Sequence, residues 1–293
     1  MRKEFTDTAT KVIKENKNSA LLLGDIGVFG FKNLLSAYPE RVFNIGILEQ
    51  SMVSVAAGLA SEGIIPIVHT IAPFIVERAL EQIKIDFGYQ KLPGNFVSVG
   101  ASFDYTKLGC THHCPGDVNI LSNVPRMNIF MPGHAKEFED QFLKNWDSGQ
   151  ANYYRLSEQI NSEPEYLGLG EIRKLKKGSM GLLIAVGPFL REALKCLTEL
   201  DIEIHYTNSI NGLNSMKIES EFPGKKVIIL EPYYSGALLL KIIEQLSTNG
   251  CEVLQIGVPK DFLEKYGNYQ EVLQHLKLDS TSIRNKVENF LNK

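Results

Sequence analysis

Asn44-Ile-Gly-Ile-Leu-Glu-Gln-Ser-Met-Val-Ser-Val-Ala-Ala-Gly-Leu-Ala-Ser-Glu-Gly63 is the stretch on which the fold turns. Just before and into it, Arg41 to Ile45 reads as the end of a buried strand. Gly46 lets the backbone turn, and from about Leu48 the pattern becomes helical. Met52, Val53, Val55, Ala56, Ala57, Leu59 and Ala60 make that helix apolar or small around most of its circumference, which predicts burial. Its first turn carries Glu49, with no basic residue within seven positions on either side. A carboxyl at the mouth of a buried helix must be held by partners brought from elsewhere or kept protonated by desolvation.

The same alternation runs outward in both directions. Ala20–Asp25 is a continuous apolar run closed by a glycine and an acid, the pattern of a strand buried on both faces. Ile64–Thr70 is a further strand, and Pro73 opens a helix expected to run to about Tyr89. Strands follow near residues 95–100, 127–131 and 153–156, with a helix at 135–146. Residues 158–179 turn polar and read as a linker. Beyond them strands at 181–186, 203–206, 226–230 and 252–256 alternate with helices at 189–200 and 236–249, and helices at 269–276 and 281–291 close the chain. The expectation is an α/β protein of two doubly wound parallel-sheet domains, residues 1–157 and 180–293.

With 293 residues, 44% hydrophobic and 22% charged, the composition is that of a globular protein of two ordinary domains. A formal net charge of −3 gives no reason to expect nucleic acid or anionic membrane as a partner. No apolar run reaches the roughly 20 residues that span a bilayer. Four cysteines do not make a disulfide framework, so a reducing cytoplasm is expected.

Ligands of parallel sheets bind at the carboxyl ends of strands, where Asp25, Glu49, His69, Thr70 and the loop after Gly100 fall. Phe74 follows closely. An acid with a stacking aromatic nearby suits a flat heterocycle; the plain alternative is a satisfied structural carboxylate. Cys110-Thr-His112-His113-Cys114 offers four zinc-ligand types, but adjacent ligands in so short a loop strain a tetrahedral site, and no metal is expected on this chain.

Gly46-Ile-Leu-Glu49-Gln50, preceded by Arg41-Val-Phe-Asn, resembles the Gly-Ile-x-Glu-Gln element of the pyrimidine-binding domain of the transketolase family. Met1–Phe5 resembles the family's entry into that domain, Leu22–Ile26 its strand end, and Ile71–Gln82 the helix that carries stacking aromatics. Leu108-Gly-Cys-Thr-His112 falls on its Asp-Gly-Pro-Thr-His loop. Residues 180–293 resemble the family's C-terminal domain through Leu183–Gly187 and Glu231–Gly236. Nearly the whole chain is covered.

The resemblance implies a thiamine-diphosphate pyrimidine-binding fold followed by a transketolase C-terminal fold, and a two-carbon ketol transferase. It makes Glu49 the catalytic acid/base on a pyrimidine ring nitrogen, with a raised pKa because desolvation outweighs the helix N-terminus. Phe74 would stack on the pyrimidine, flanked by Ile71 and Glu77 where the family has aromatics. Asp25 would lie near the cofactor. His112, Arg155 and Arg2 would contact the sugar. Leu108, Gly100 and Glu158 stand where the family has an aspartate, a histidine and a phosphate-gripping arginine, which implies an atypical, unphosphorylated or nucleotide-linked sugar. No Gly-Asp-Gly occurs, so the diphosphate and its Mg2+ or Ca2+ would be held by an N-terminal partner subunit in an α2β2 heterotetramer. The alternatives are a 2-oxo acid dehydrogenase beta subunit, a deoxyxylulose-phosphate-synthase-like enzyme and a non-catalytic stabilising subunit.

Overall fold

The computed structural model describes residues 1–210, 226–245 and 251–293. Two sheets organise them. The first is formed by β1 (Ser19–Leu23), β2 (Val42–Asn44), β3 (Ile65–Ile71), β4 (Gly94–Val99), β5 (Met127–Phe130) and β6 (Ala151–Arg155), all parallel, in the order β2-β1-β3-β4-β6-β5. The second contains β7 (Arg173–Lys176), β8 (Leu182–Val186), β9 (Glu203–Thr207), β10 (Lys226–Tyr234) and β11 (Glu252–Val258), in the order β11-β10-β8-β9-β7. Only the β7–β9 pairing there is antiparallel. Strand β7 falls inside the stretch expected to be a linker, and it closes one edge of the second sheet.

Helices α1 (Arg2–Glu15), α2 (Lys32–Ala37), α3 (Glu49–Ser61), α4 (Ala72–Val76), α5 (Leu80–Gln82), α6 (Asp117–Leu121) and α7 (Ala135–Asn145) accompany the first sheet. The second carries α8 (Leu190–Leu197), α9 (Leu239–Gln245), α10 (Tyr269–His275) and α11 (Ser280–Leu291). None of the helices among the described residues is long and apolar enough to cross a membrane. The helix expected over 236–249 begins only at Leu239, and its last four positions lie outside the described residues.

Two expectations near the site need correction. Helix α3 is not buried all round. Met52, Val53, Ala56 and Ala60 pack into the core with Leu22 and Val68, while Gln50, Ser51, Ser54, Val55 and Gly58 face outward. The helix from Pro73 to Tyr89 is not continuous. It stops at Val76, where Glu77 and Arg78 both donate backbone N–H groups to the Pro73 carbonyl (3.0 and 3.1 Å). It resumes in α5 and then widens into a π-helical turn over Ile83–Tyr89. Interruptions of this kind re-aim side chains and gather at functional sites.

The two sheets share their packing. Met131 N–H donates to the Asn208 carbonyl (2.7 Å) and Ile210 N–H to that of Ile129 (3.1 Å), so the end of β5 is stitched to the segment after β9. The buried carboxylate of Glu137 on α7 accepts from Gly133 N–H, Tyr206 Oη, Asn208 Nδ2 and Glu165 N–H. Its donors thus come from the first half, the second half and the segment between them. Burial pushes the Glu137 pKa up against the pull of those four donors.

Candidate active site

Strand order β2-β1-β3 puts the carboxyl ends of the first three strands side by side, with Leu23 opposite both Asn44 and His69. Glu49, the first residue of α3, is fully buried beside this edge. Its Oε1 accepts from Thr70 Oγ1 (3.2 Å), and its Oε2 receives Arg78 Nη1 at 2.5 Å. Arg78 lies 29 residues away in sequence. Desolvation is therefore only part of the environment of this carboxyl: it has a cationic partner, delivered by the interrupted segment after α4.

That guanidinium has a second contact. Its carbon lies 4.3 Å from the centroid of the Phe74 ring, within cation–π range. Phe74 in turn meets His112 edge-on at 5.3 Å, and His112 lies 6.5 Å from Tyr105 in the same manner. Arg2 donates to the Tyr105 hydroxyl (2.6 Å). The His112 Nδ1 pairs with Thr111 Oγ1 (2.9 Å), which fixes the ring. Glu49, Phe74, His112 and Arg2, chosen from four separate parts of the sequence, thus form one contiguous run of side chains. Arg78 and Tyr105 are the links that sequence reasoning missed. The Phe74/Arg78 spacing of four residues was the available signal, since such pairs share a helix face.

The other expected residues are placed differently. Asp25 is exposed, holds φ 65° and is tied to Asn44: Asn44 Nδ2 donates to its carboxylate (3.3 Å), and its own N–H donates to Asn44 Oδ1 (3.0 Å). Ile71 is buried in the core with Val99 and Leu156. Glu77 turns away from Phe74 into a cleft with Cys110, His113, Tyr234 and Asp261. Burial raises its pKa, the Cys114 thiol donating at 3.5 Å opposes this, and the Asp117 charge adds to the rise. Arg155, expected at the sugar, is enclosed. Its Nε donates to Asp117 (2.7 Å), and its Nη2 to Ser102 Oγ (2.6 Å) and the Pro232 carbonyl (3.3 Å), so its fork is spent inside the protein. Glu158 lies exposed in a small cleft with Arg2, Gly100, Tyr105 and Ser157. His69 sits inside the fold against Phe5, its Nδ1 on the Val97 carbonyl (2.8 Å), and burial holds its pKa down at about 4. His134 caps α7, accepting from Lys136 N–H (3.1 Å).

A buried carboxyl beside an aromatic face can hold a flat group that donates N–H to the acid while stacking on the ring. The Arg78 guanidinium, planar and rich in N–H, shows that the slot admits such a group. An aminopyrimidine has the same requirements, so the residues present fit that half of thiamine diphosphate. No cluster of three or more metal-ligating side chains occurs among the described residues.

Residues 1–158 match the family model described as "Transketolase, pyrimidine binding domain". An uncharacterized 33.6 kDa protein of the fasciation locus in Rhodococcoides fascians is 32% identical over 98% of this chain and 93% of its own length. One of the subunits of the apulose-4-phosphate transketolase of Phocaeicola vulgatus is 28% identical over 100% of this chain and 97% of its own. A split gene transketolase structure, described as an inactive beta4 tetramer, superposes with a TM-score of 0.84 at 23% identity, covering 99% of this chain and 97% of that one.

Proposed function

The chain belongs to the transketolase family, through its pyrimidine-binding domain, and from that premise we propose that it is the C-terminal subunit of a two-subunit, thiamine-diphosphate-dependent transferase. It moves a two-carbon ketol unit between sugars and works with an N-terminal partner, in an α2β2 assembly in the cytoplasm. The observation that carries the reading is the buried Glu49 carboxyl, joined to the Phe74 ring through the one Arg78 guanidinium that contacts both. The transketolase relative that is itself a single subunit, matched almost end to end, supports the split arrangement.

When bound, the cofactor supplies the carbon that takes up the ketol unit. This chain's share is to hold the pyrimidine end. Glu49, fixed by Thr70, would hold a proton toward the ring nitrogen, and Phe74 would offer its face to the ring. His112, at the edge of Phe74, would point the sugar toward that position, and Arg2 with Tyr105 marks the far end of this run of side chains. The partner supplies the diphosphate and metal site. Exposed Phe29 (94%), Ile47 (66%) and Leu48 (56%) flank the Glu49 edge and give such a partner an apolar landing. The Glu158 carboxylate in the Arg2 cleft opposes a phosphate there, which favours an atypical sugar.

The test is to reconstitute the chain with a polypeptide carrying the missing domain and to assay ketol transfer among a panel of sugars. Transfer that needs both chains is the expected result. Decarboxylation of 2-oxo acids or formation of deoxyxylulose phosphate in place of ketol transfer, or turnover by this chain alone, would overturn the proposal.

A further inference from the structure

We infer that Arg78 is a resident occupant of the pyrimidine slot, a self-ligand that the cofactor must displace before Glu49 can reach it. The inference rests on the thiamine diphosphate reading above and adds a step to binding.

Three features of Arg78 converge. Its guanidinium makes both interactions that the slot offers, a bond to the Glu49 carboxylate at 2.5 Å and a stacking contact with Phe74 at 4.3 Å. Thr70 already holds Oε1, so a heteroaromatic ring lying on Phe74 with a nitrogen at Glu49 would compete with Arg78 for Oε2 and for the ring face the guanidinium covers. Next, Arg78 can leave. Its side chain is 35% exposed, whereas that of Glu49 is fully enclosed, so the arginine moves into water while the acid stays in place. Finally, its backbone sits in the turn between α4 and α5, outside regular helix, and the side chain can swing without unwinding an element.

The occupant has a use. A carboxylate buried without a partner is costly, and Arg78 keeps Glu49 satisfied while the chain is still unassembled. It also taxes binding. Affinity for a ligand that needs the slot open is lowered by the fraction of molecules in which it is open. Flat amines that make only one of the two contacts compete poorly, while an assembled site that also grips the diphosphate offsets the displacement with the partner's contacts.

The experiment is calorimetric titration of the assembled two-chain complex with thiamine diphosphate and Mg2+, comparing wild type, Arg78→Gln and Arg78→Lys. Arg78→Gln should bind roughly 5- to 30-fold more tightly, and Arg78→Lys, which keeps the charge but loses the planar fork, should fall between. Unchanged or weaker binding by Arg78→Gln overturns the inference. A second readout follows the guanidinium Nη resonances of Arg78, whose Nη1 makes the Glu49 bond, in the cofactor-free complex and at saturation. Loss of its protected, slowly exchanging signal on saturation supports displacement, and persistence of that signal overturns the inference while leaving the cofactor assignment standing. Failure of both wild type and variants to bind the cofactor overturns the assignment itself, and the inference with it.

Discussion

The Glu49–Arg78 pair makes an asymmetric prediction about stability. Glu49 is the enclosed member and Arg78 the partly exposed one. Replacing Arg78 by Gln leaves the carboxylate with one neutral donor, Thr70, and opens it to the solvent that Arg78 now keeps out. Because Arg78 is partly exposed, its loss should cost about 1–2 kcal/mol, less than the loss of a partner from a fully enclosed pair. Glu49→Gln leaves a guanidinium that turns out to solvent, and the new amide still accepts from Thr70, so its cost should be about 0–1 kcal/mol. The double variant should recover most of the loss caused by Arg78→Gln alone, because no charge is then stranded. Urea unfolding of the isolated subunit for the four species gives the cycle, read as midpoints at constant slope. Equal costs for the two single variants, or additive costs in the double, would show that the pair is not the enclosed, asymmetric contact described, and displacement of Arg78 would lose its energetic footing.

On the proposed function, Glu49→Gln in the assembled complex should lower kcat by about 10²–10⁴-fold with little change in folding, since it would remove the group proposed to exchange the proton while keeping its shape; steady-state kinetics on the reconstituted enzyme will tell. Asp104 is buried and accepts from Ser157 Oγ and Glu158 N–H, and desolvation, against those donors, raises its pKa from 3.8 to about 7. A carboxyl raised in the fold stabilises while protonated, so this contribution is full below about pH 4 and is lost as pH climbs toward 7, about 4 kcal/mol in all. Asp104→Asn should flatten the pH dependence of urea unfolding over that window, and an unchanged slope would remove Asp104 as its source. Gly133→Ala would drive a methyl onto Asn161, the Tyr206 hydroxyl (2.5 Å) and the Gly187 carbonyl (2.9 Å), and should cost about 2–4 kcal/mol by thermal unfolding.

The alternation of strands and helices, the strand–glycine–helix passage at Gly46 and the acid after it were all legible in the sequence, because each is written in neighbouring residues. Helix α1 is written there too, in Phe5, Ala9, Val12 and Ile13 at helical spacing. What escaped depended on distant contacts. Arg78 reaches Glu49 across 29 positions, and only the fold says so. The interruption at Val76 was hidden because helical periodicity continues through it on both sides. Arg155 was placed at the sugar by the family resemblance alone, which carries no information on where its head points. Whether its head points out or in depends on Asp117, brought from another element. Burial of α3 was over-read for a similar reason: small residues fit a core and a docking face equally well.

Glu137 bears on how this architecture could be rearranged. With its four donors drawn from Gly133, Glu165, Tyr206 and Asn208, cutting the chain between the sheets would strand an anion inside whichever fragment kept α7. Exchanging the C-terminal portion with that of a relative would do the same unless the incoming piece brought matching hydroxyl and amide groups. One buried carboxylate therefore sets the chemical terms on which the two sheets of this chain can be recombined.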